Sequence, residues 1–96
     1  DFWKAYQARA VAPTIRQLRE RAEALRQAEL DRIYHRLPNE CAEQRALFDQ
    51  FSHRFMNKML HQLTHNLKER AADDDAARVT AVARELFGLE DAADVV

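Results

Sequence analysis

Four histidines, one cysteine and an arginine-rich stretch are the parts of this 96-residue chain with side chains suited to chemistry. His61 and His65 are spaced i, i+4, which on a helix puts two imidazoles on one face at the separation of a metal-ligand pair, and His53 lies two turns before His61. Zinc sites want three or four protein ligands, and the nearby candidates are only Glu69 and Asn57. A binding module holding metal or haem through His53, His61 and His65 is therefore the alternative reading, against a solvated or interface-lining polar edge. Cys41 follows Glu40 in the first turn of an expected helix, where the dipole favours a thiolate, but no His lies near it in sequence and no nucleophile signature surrounds it. No catalytic residue is assigned. Phe48, Phe51 and Phe55 recur at helical spacing, the pattern of a core rather than of a cofactor cradle. Arg16, Arg19, Arg21, Arg26, Arg32 and Arg36 are interleaved with Glu20, Glu23, Glu29 and Asp31, giving pairs such as Arg16–Glu20, Arg19–Glu23 and Glu29–Arg32 that neutralise the face locally. A phosphate-binding surface would be less mixed, so no direct nucleic-acid contact is expected. No glycine-rich phosphate loop exists either, so no cofactor is assigned to this chain.

The elements that position these residues follow from what the chain lacks. One Gly and two Pro leave almost no turn chemistry for hairpins, which makes the fold all-α. With 47% apolar and 32% charged residues the chain should fold in water, and no apolar run approaches the ~20 residues that span a bilayer. A single Cys and no leader-like N-terminus suggest a cytoplasmic protein. The opening Asp1-Phe2-Trp3-Lys4 has no Met and reads as mid-helix, as in a piece of a longer protein.

Three segments emerge within this single 1–96 domain. Roughly residues 2–37 carry Val11, Ile15, Leu18, Ala22, Leu25, Leu30, Ile33 and Leu37 on one stripe, interrupted by a kink or joint near Pro13 and stopped by Leu37-Pro38-Asn39. Glu29 and Arg26 project into that stripe, where a charge needs a partner, expected across a subunit boundary. Roughly residues 40–70 place Leu47, Phe48, Phe51, Phe55, Met56, Met59, Leu60, Leu63 and Leu67 on a band wider than half the helix; Thr64 could cap a fresh start, leaving a break at 62–64 open. The third helix begins after Asp73-Asp74-Asp75 and ends at Gly88, with Leu89 touching back onto its last turn.

Helices of about 36 and 30 residues would be ~54 and ~45 Å long, whereas a compact chain of this size has a radius of gyration near ~12–13 Å. The expected fold is an elongated bundle of two long helices and a short third, completed by a second copy that covers the Phe-rich band. The expected core and dimer interface is Ile15, Leu18, Leu25, Glu29, Ile33, Phe48, Phe51, Phe55, Met59 and Leu63. Charge is also divided: residues 1–70 carry 13 basic and 9 acidic groups and residues 71–96 carry 2 and 7, so the acidic third helix is expected to lie against the basic flank of its own or its partner's long helix.

Asn57-Lys58-Met59-Leu60-His61, followed by Thr64 and Leu67-Lys68, resembles the N-K-x-L-H-x-x-T-x-x-L-K signature of the C-terminal dimerisation domain of glutamyl-tRNA reductases. Pro13-Thr14-Ile15, Leu18-Arg19 and Glu29-Leu30 look like the upstream P-x-I-x-x-L-R and E-L elements, with Phe2 and Trp3 near the aromatic pair that the family carries at the end of its long connecting helix, which the resemblance places within residues 1–12. The likeness runs in order to Leu86-Phe87-Gly88-Leu89. It implies a homodimerisation module of an enzyme that uses NADPH to reduce glutamyl-tRNA to glutamate-1-semialdehyde in tetrapyrrole synthesis, with nucleophile, dinucleotide and tRNA sites all in other domains. Cys41 lies outside the family's Ser-Thr-Cys-Asn-Arg context. Gln62-Leu63 stands where relatives commonly place Pro before the Thr, which favours a continuous second helix. Asn57 and His61 fall on a face away from the Phe stripe, placed to hydrogen-bond a neighbouring helix.

Overall fold

The computed structural model describes residues 2–36 and 42–89. Four helices follow one another: α1 (Phe2–Ala10), α2 (Ala12–Arg36), α3 (Ala42–Asp73) and α4 (Ala76–Phe87). All regular structure among the described residues is helical, as the scarcity of Gly and Pro requires. The expected turn at Leu37-Pro38-Asn39 and the helix-start Cys41 lie outside the described residues, as does the tail from Glu90.

The joint between α1 and α2 falls at Val11, within the stretch where Pro13 predicts one. As the second residue of α2, Pro13 lacks an N–H that no intrahelical carbonyl would have accepted, so it costs little there, whereas within one unbroken helix it would remove a bond and clash. The chain bends at this point, and Val11 becomes the largest fully buried side chain among the described residues, at 0% exposure.

The second segment forms one unbroken helix of 32 residues. Thr64 does not start a new helix; its Oγ1 donates to the carbonyl of His61, one turn back, at 3.2 Å, so the hydroxyl is satisfied inside a continuous α3. α2 runs antiparallel to α3, a direction fixed by three contacts along the hairpin. Arg19 meets Asn57, Arg26 meets Asp49 and Ser52, and Tyr34 meets Arg45.

α4 begins where Asp75 accepts the Ala77 N–H at 3.0 Å through its carboxylate, and Asp74 pairs with Arg78. It ends in a Schellman turn: Gly88 at φ 69° lets its own N–H reach Glu85 O and the Leu89 N–H reach Arg84 O at 2.8 Å. That turn does more than close the helix. Leu89 folds into the core against Leu18 and Leu60, with Ala22, Met56 and Phe87 around them. A second cluster, Val11, Ala71, Ala76 and Val79, is flanked by Ile15 and Leu67. The Asp73–Asp74 corner lies beside α1: Lys4 is 3.8 Å from Asp73, and the Gln7 amide donates to Asp74 O at 2.7 Å.

Both clusters sit in the half of the molecule that α1 and α4 reach. Beyond it, α2 and α3 continue as a two-helix hairpin in which Leu30, at 4% exposure, is the one buried apolar residue of the α2 stretch from Ala24 to Arg36. The result is a thin rod, 55 × 35 × 15 Å, with a radius of gyration of 17.0 Å instead of the ~12–13 Å of a compact chain.

Candidate interface

A two-helix hairpin buries one stripe of each helix and leaves the rest to solvent or to another molecule. α3 turns Leu60 and Thr64 inward, at 4% and 8% exposure. The band that makes it wider than half apolar therefore turns outward: Leu47, Phe48, Phe51, Phe55, Met59 and Leu63 are all exposed, Phe51 by 68% and Phe55 by 58%. The Phe51 and Phe55 rings lie 6.0 Å apart and form a ridge. On one flank of the ridge a trough between α2 and α3 is lined by Leu25, Glu29, Phe51, Phe55 and Met59. On the other flank a second depression is lined by Leu47, Gln50, Arg54 and Lys58 with the same two rings. Farther along, Leu63 joins Val82 and Leu86, which α4 leaves exposed while burying Val79 and Ala83.

The sequence-predicted residues thus divide. Ile15 and Leu18 belong to the core within the chain. Leu25, Glu29, Phe51, Phe55 and Met59 are gathered on one face; Ile33, Phe48 and Leu63 are exposed but lie outside that trough. The signature residues divide as well. Asn57, Leu60 and Thr64 face α2 and the core, with the Asn57 carbonyl accepting from Arg19 at 3.5 Å, while Lys58 and His61 are exposed.

The expectation for Arg26 needs correction. Its guanidinium, on a side chain only 9% exposed, is satisfied inside the chain and not across a subunit boundary. Nε and Nη2 donate to the two Glu23 oxygens at 3.0 and 2.7 Å, and Nη1 donates to Asp49 Oδ1 at 2.9 Å and Ser52 Oγ at 3.1 Å. This fork-like clasp ties α2 to α3 at the floor of the exposed trough. Glu23 is consequently spent on Arg26 and Gln27, not on Arg19 as the i, i+4 spacing suggests. Asp49, the partner that sequence reasoning missed, was signalled only by its place one turn before Ser52 on the facing helix. Glu29 stays exposed at the trough and has no ion-pair partner among the described residues.

The clasp has a pH signature. Hydrogen bonds from Arg26, then from Gln27, hold the Glu23 carboxyl down to about 2, and contact with Glu23 and Asp49 raises Arg26. Folding lowers the Glu23 pKa below its unfolded value, so the clasp contributes fully above about 4.5 and is lost as pH falls toward 2. The urea midpoint should decline over that window, and Glu23→Gln should flatten the decline. Superimposable acid profiles would refute the assignment.

The histidines do not converge. His53 stands toward Glu23, where its charge adds a small lowering to that carboxyl, whereas His65 lies 3.9 Å from Glu69 on its own helix. Among the described residues no three His, Cys, Asp or Glu side chains are grouped to hold a metal ion. None of the described helices is long and apolar enough to cross a membrane.

Comparison with known proteins bears on what this face is. The family model described as "Glutamyl-tRNAGlu reductase, dimerisation domain" matches residues 1–89. A glutamyl-tRNA reductase of Salinispora tropica is 44% identical over 80 residues, 83% of this chain and 18% of that protein. Those of Chloroflexus aurantiacus and Roseiflexus castenholzii are 37% and 41% identical, covering 94% and 96% of this chain and 21% and 20% of theirs. The chain thus spans about a fifth of the length of these relatives. No solved structure matches it. The order and spacing that first suggested the family extend over all but the tail of the sequence, and the chain belongs to the glutamyl-tRNA reductase dimerisation-domain family.

Proposed function

We propose that this chain joins two subunits of a glutamyl-tRNA reductase by burying the Phe51–Phe55 face of one copy against that of another. The observation that carries this reading is the uncovered ridge itself: Leu47, Phe48, Phe51, Phe55 and Met59 are exposed on one side of the hairpin, and no other helix among the described residues covers them. Apolar burial supplies the attraction, and an interface of this kind belongs to the obligate class if it removes about 2,000 Å² or more. The candidate interface residues are Leu25, Glu29, Ile33, Phe48, Phe51, Phe55, Met59 and Leu63, with Ile15 and Leu18 supporting them from the core. α1 is read as the end of the helix that leads in from the rest of the parent protein.

On this reading the parent enzyme is a cytoplasmic oxidoreductase that uses NADPH to convert glutamyl-tRNA to glutamate-1-semialdehyde for tetrapyrrole synthesis, and it meets the tRNA through other domains. On this reading the dinucleotide, too, is held by other domains. Gly88, the single glycine, is committed to capping α4, and no strand among the described residues leads into a phosphate loop. Hydroxyl-radical footprinting tests the interface: Phe51, Phe55 and Met59 should be protected in a concentrated sample and become reactive on dilution, while Phe2 and Trp3 stay reactive in both. Equal reactivity of the three ridge residues at both concentrations would overturn the assignment.

A further inference from the structure

We infer that Glu29 of one copy pairs with Arg54 of the other, and that this pair sets the two α3 helices side by side pointing in the same direction. The inference rests on the dimer reading and deepens it. Three observations lead to it. First, Glu29 lies at the edge of the apolar trough beside Leu25, Phe51 and Phe55, so covering the trough takes its carboxylate out of water. Second, neither Glu29 nor Arg54 has an ion-pair partner among the described residues, in contrast to Arg26 at the trough floor, which is fully engaged. Third, the two charges sit on opposite flanks of one ridge, Glu29 on the α2 side of Phe51 and Phe55 and Arg54 on the far side.

Twofold symmetry turns this placement into a choice of direction. When two copies of a ridge pack side by side and run the same way, the axis lies along them and brings the α2 flank of each against the far flank of the other. When they run oppositely, like flanks meet, and Arg54 faces Arg54. The levels agree with the first arrangement. Because Arg26 meets Asp49 and Ser52 while Tyr34 meets Arg45, Glu29 lies alongside the stretch between Phe48 and Ser52, and its side chain leans toward the α2 N-terminus. Arg54 is within one turn of that level, and its side chain leans back toward it. A carboxylate that would be costly to bury alone thereby gains a forked cationic partner from the second copy, and the opposite arrangement is penalised by like charges.

Charge reversal tests this with the chain as it is. Glu29→Arg and Arg54→Glu should each raise the dimer Kd, on the order of tenfold for each of the two symmetry-related pairs and so about a hundredfold together. The double variant Glu29→Arg with Arg54→Glu should return to within a few-fold of the wild type. Both side chains are exposed in the single chain, so the helical circular dichroism should be unchanged in all variants. A wild-type dimer whose single variants associate normally, or whose double variant loses the sum of the two, would overturn the pair while leaving the dimer standing. A monomeric wild type would overturn both.

Discussion

Phe51→Asp should dissociate the molecule without unfolding it. In the single chain this ring is 68% exposed, so little is lost from the monomer, and an Asp in the middle of an exposed helix face costs only a few tenths of a kcal/mol in propensity. In the proposed dimer the ring is buried twice, once from each copy. Each burial is worth about 1.5–3 kcal/mol, and the introduced carboxylate adds a desolvation cost on top. Dissociation weakened by about 3–6 kcal/mol corresponds to a Kd raised roughly a hundredfold to ten-thousandfold. Sedimentation velocity should show a single smaller species with a wild-type far-ultraviolet spectrum. A variant that remains dimeric at the same concentration would show that the ridge is not the contact.

Leu60→Ala should do the reverse. Leu60 stands one residue from Met59, about a hundred degrees farther round α3, and is buried at 4% exposure between Leu18 and Leu89 at the inner edge of the trough. Removing it leaves a cavity where three helix-borne segments meet, which costs about 2–5 kcal/mol. Small domains have only about 5–15 kcal/mol in total, so thermal unfolding should fall by roughly 8 °C or more. The exposed ridge of Phe51, Phe55 and Met59 keeps its side chains and Leu60 reaches the trough only at its buried inner edge, so protein that remains folded should still associate. Loss of association with unchanged thermal stability would contradict the division of α3 into a core side and an outer side.

That division was only half visible in the sequence. The helical class, the joint at Val11, the Asp75 and Gly88 ends of α4 and the excess width of the apolar band on α3 all follow from local rules of spacing and capping. Which part of the band faces inward is not local, because Leu60 and Met59 are equally apolar and only the positions of α2 and α4 decide between them. The same holds for charge. Arg26 and Glu29 look equivalent on a helical wheel, yet Arg26 finds Asp49 and Ser52 across the hairpin and Glu29 finds no such partner. Spacing along one helix cannot register a partner on the next. Leu89 is the complementary case: a residue expected only to close a helix end became part of the core because the Schellman turn aims it there.

The thinness of the rod ties these points together. The chain is only 15 Å thick along its shortest axis, and the Phe ridge on its uncovered side is the surface proposed to meet a second copy. Mass in solution tests that claim most directly. Light scattering of the chain at micromolar concentration and moderate salt should give twice 11.2 kDa, and the value should hold as salt is raised because the seam is apolar. A mass of 11.2 kDa under those conditions would contradict the account.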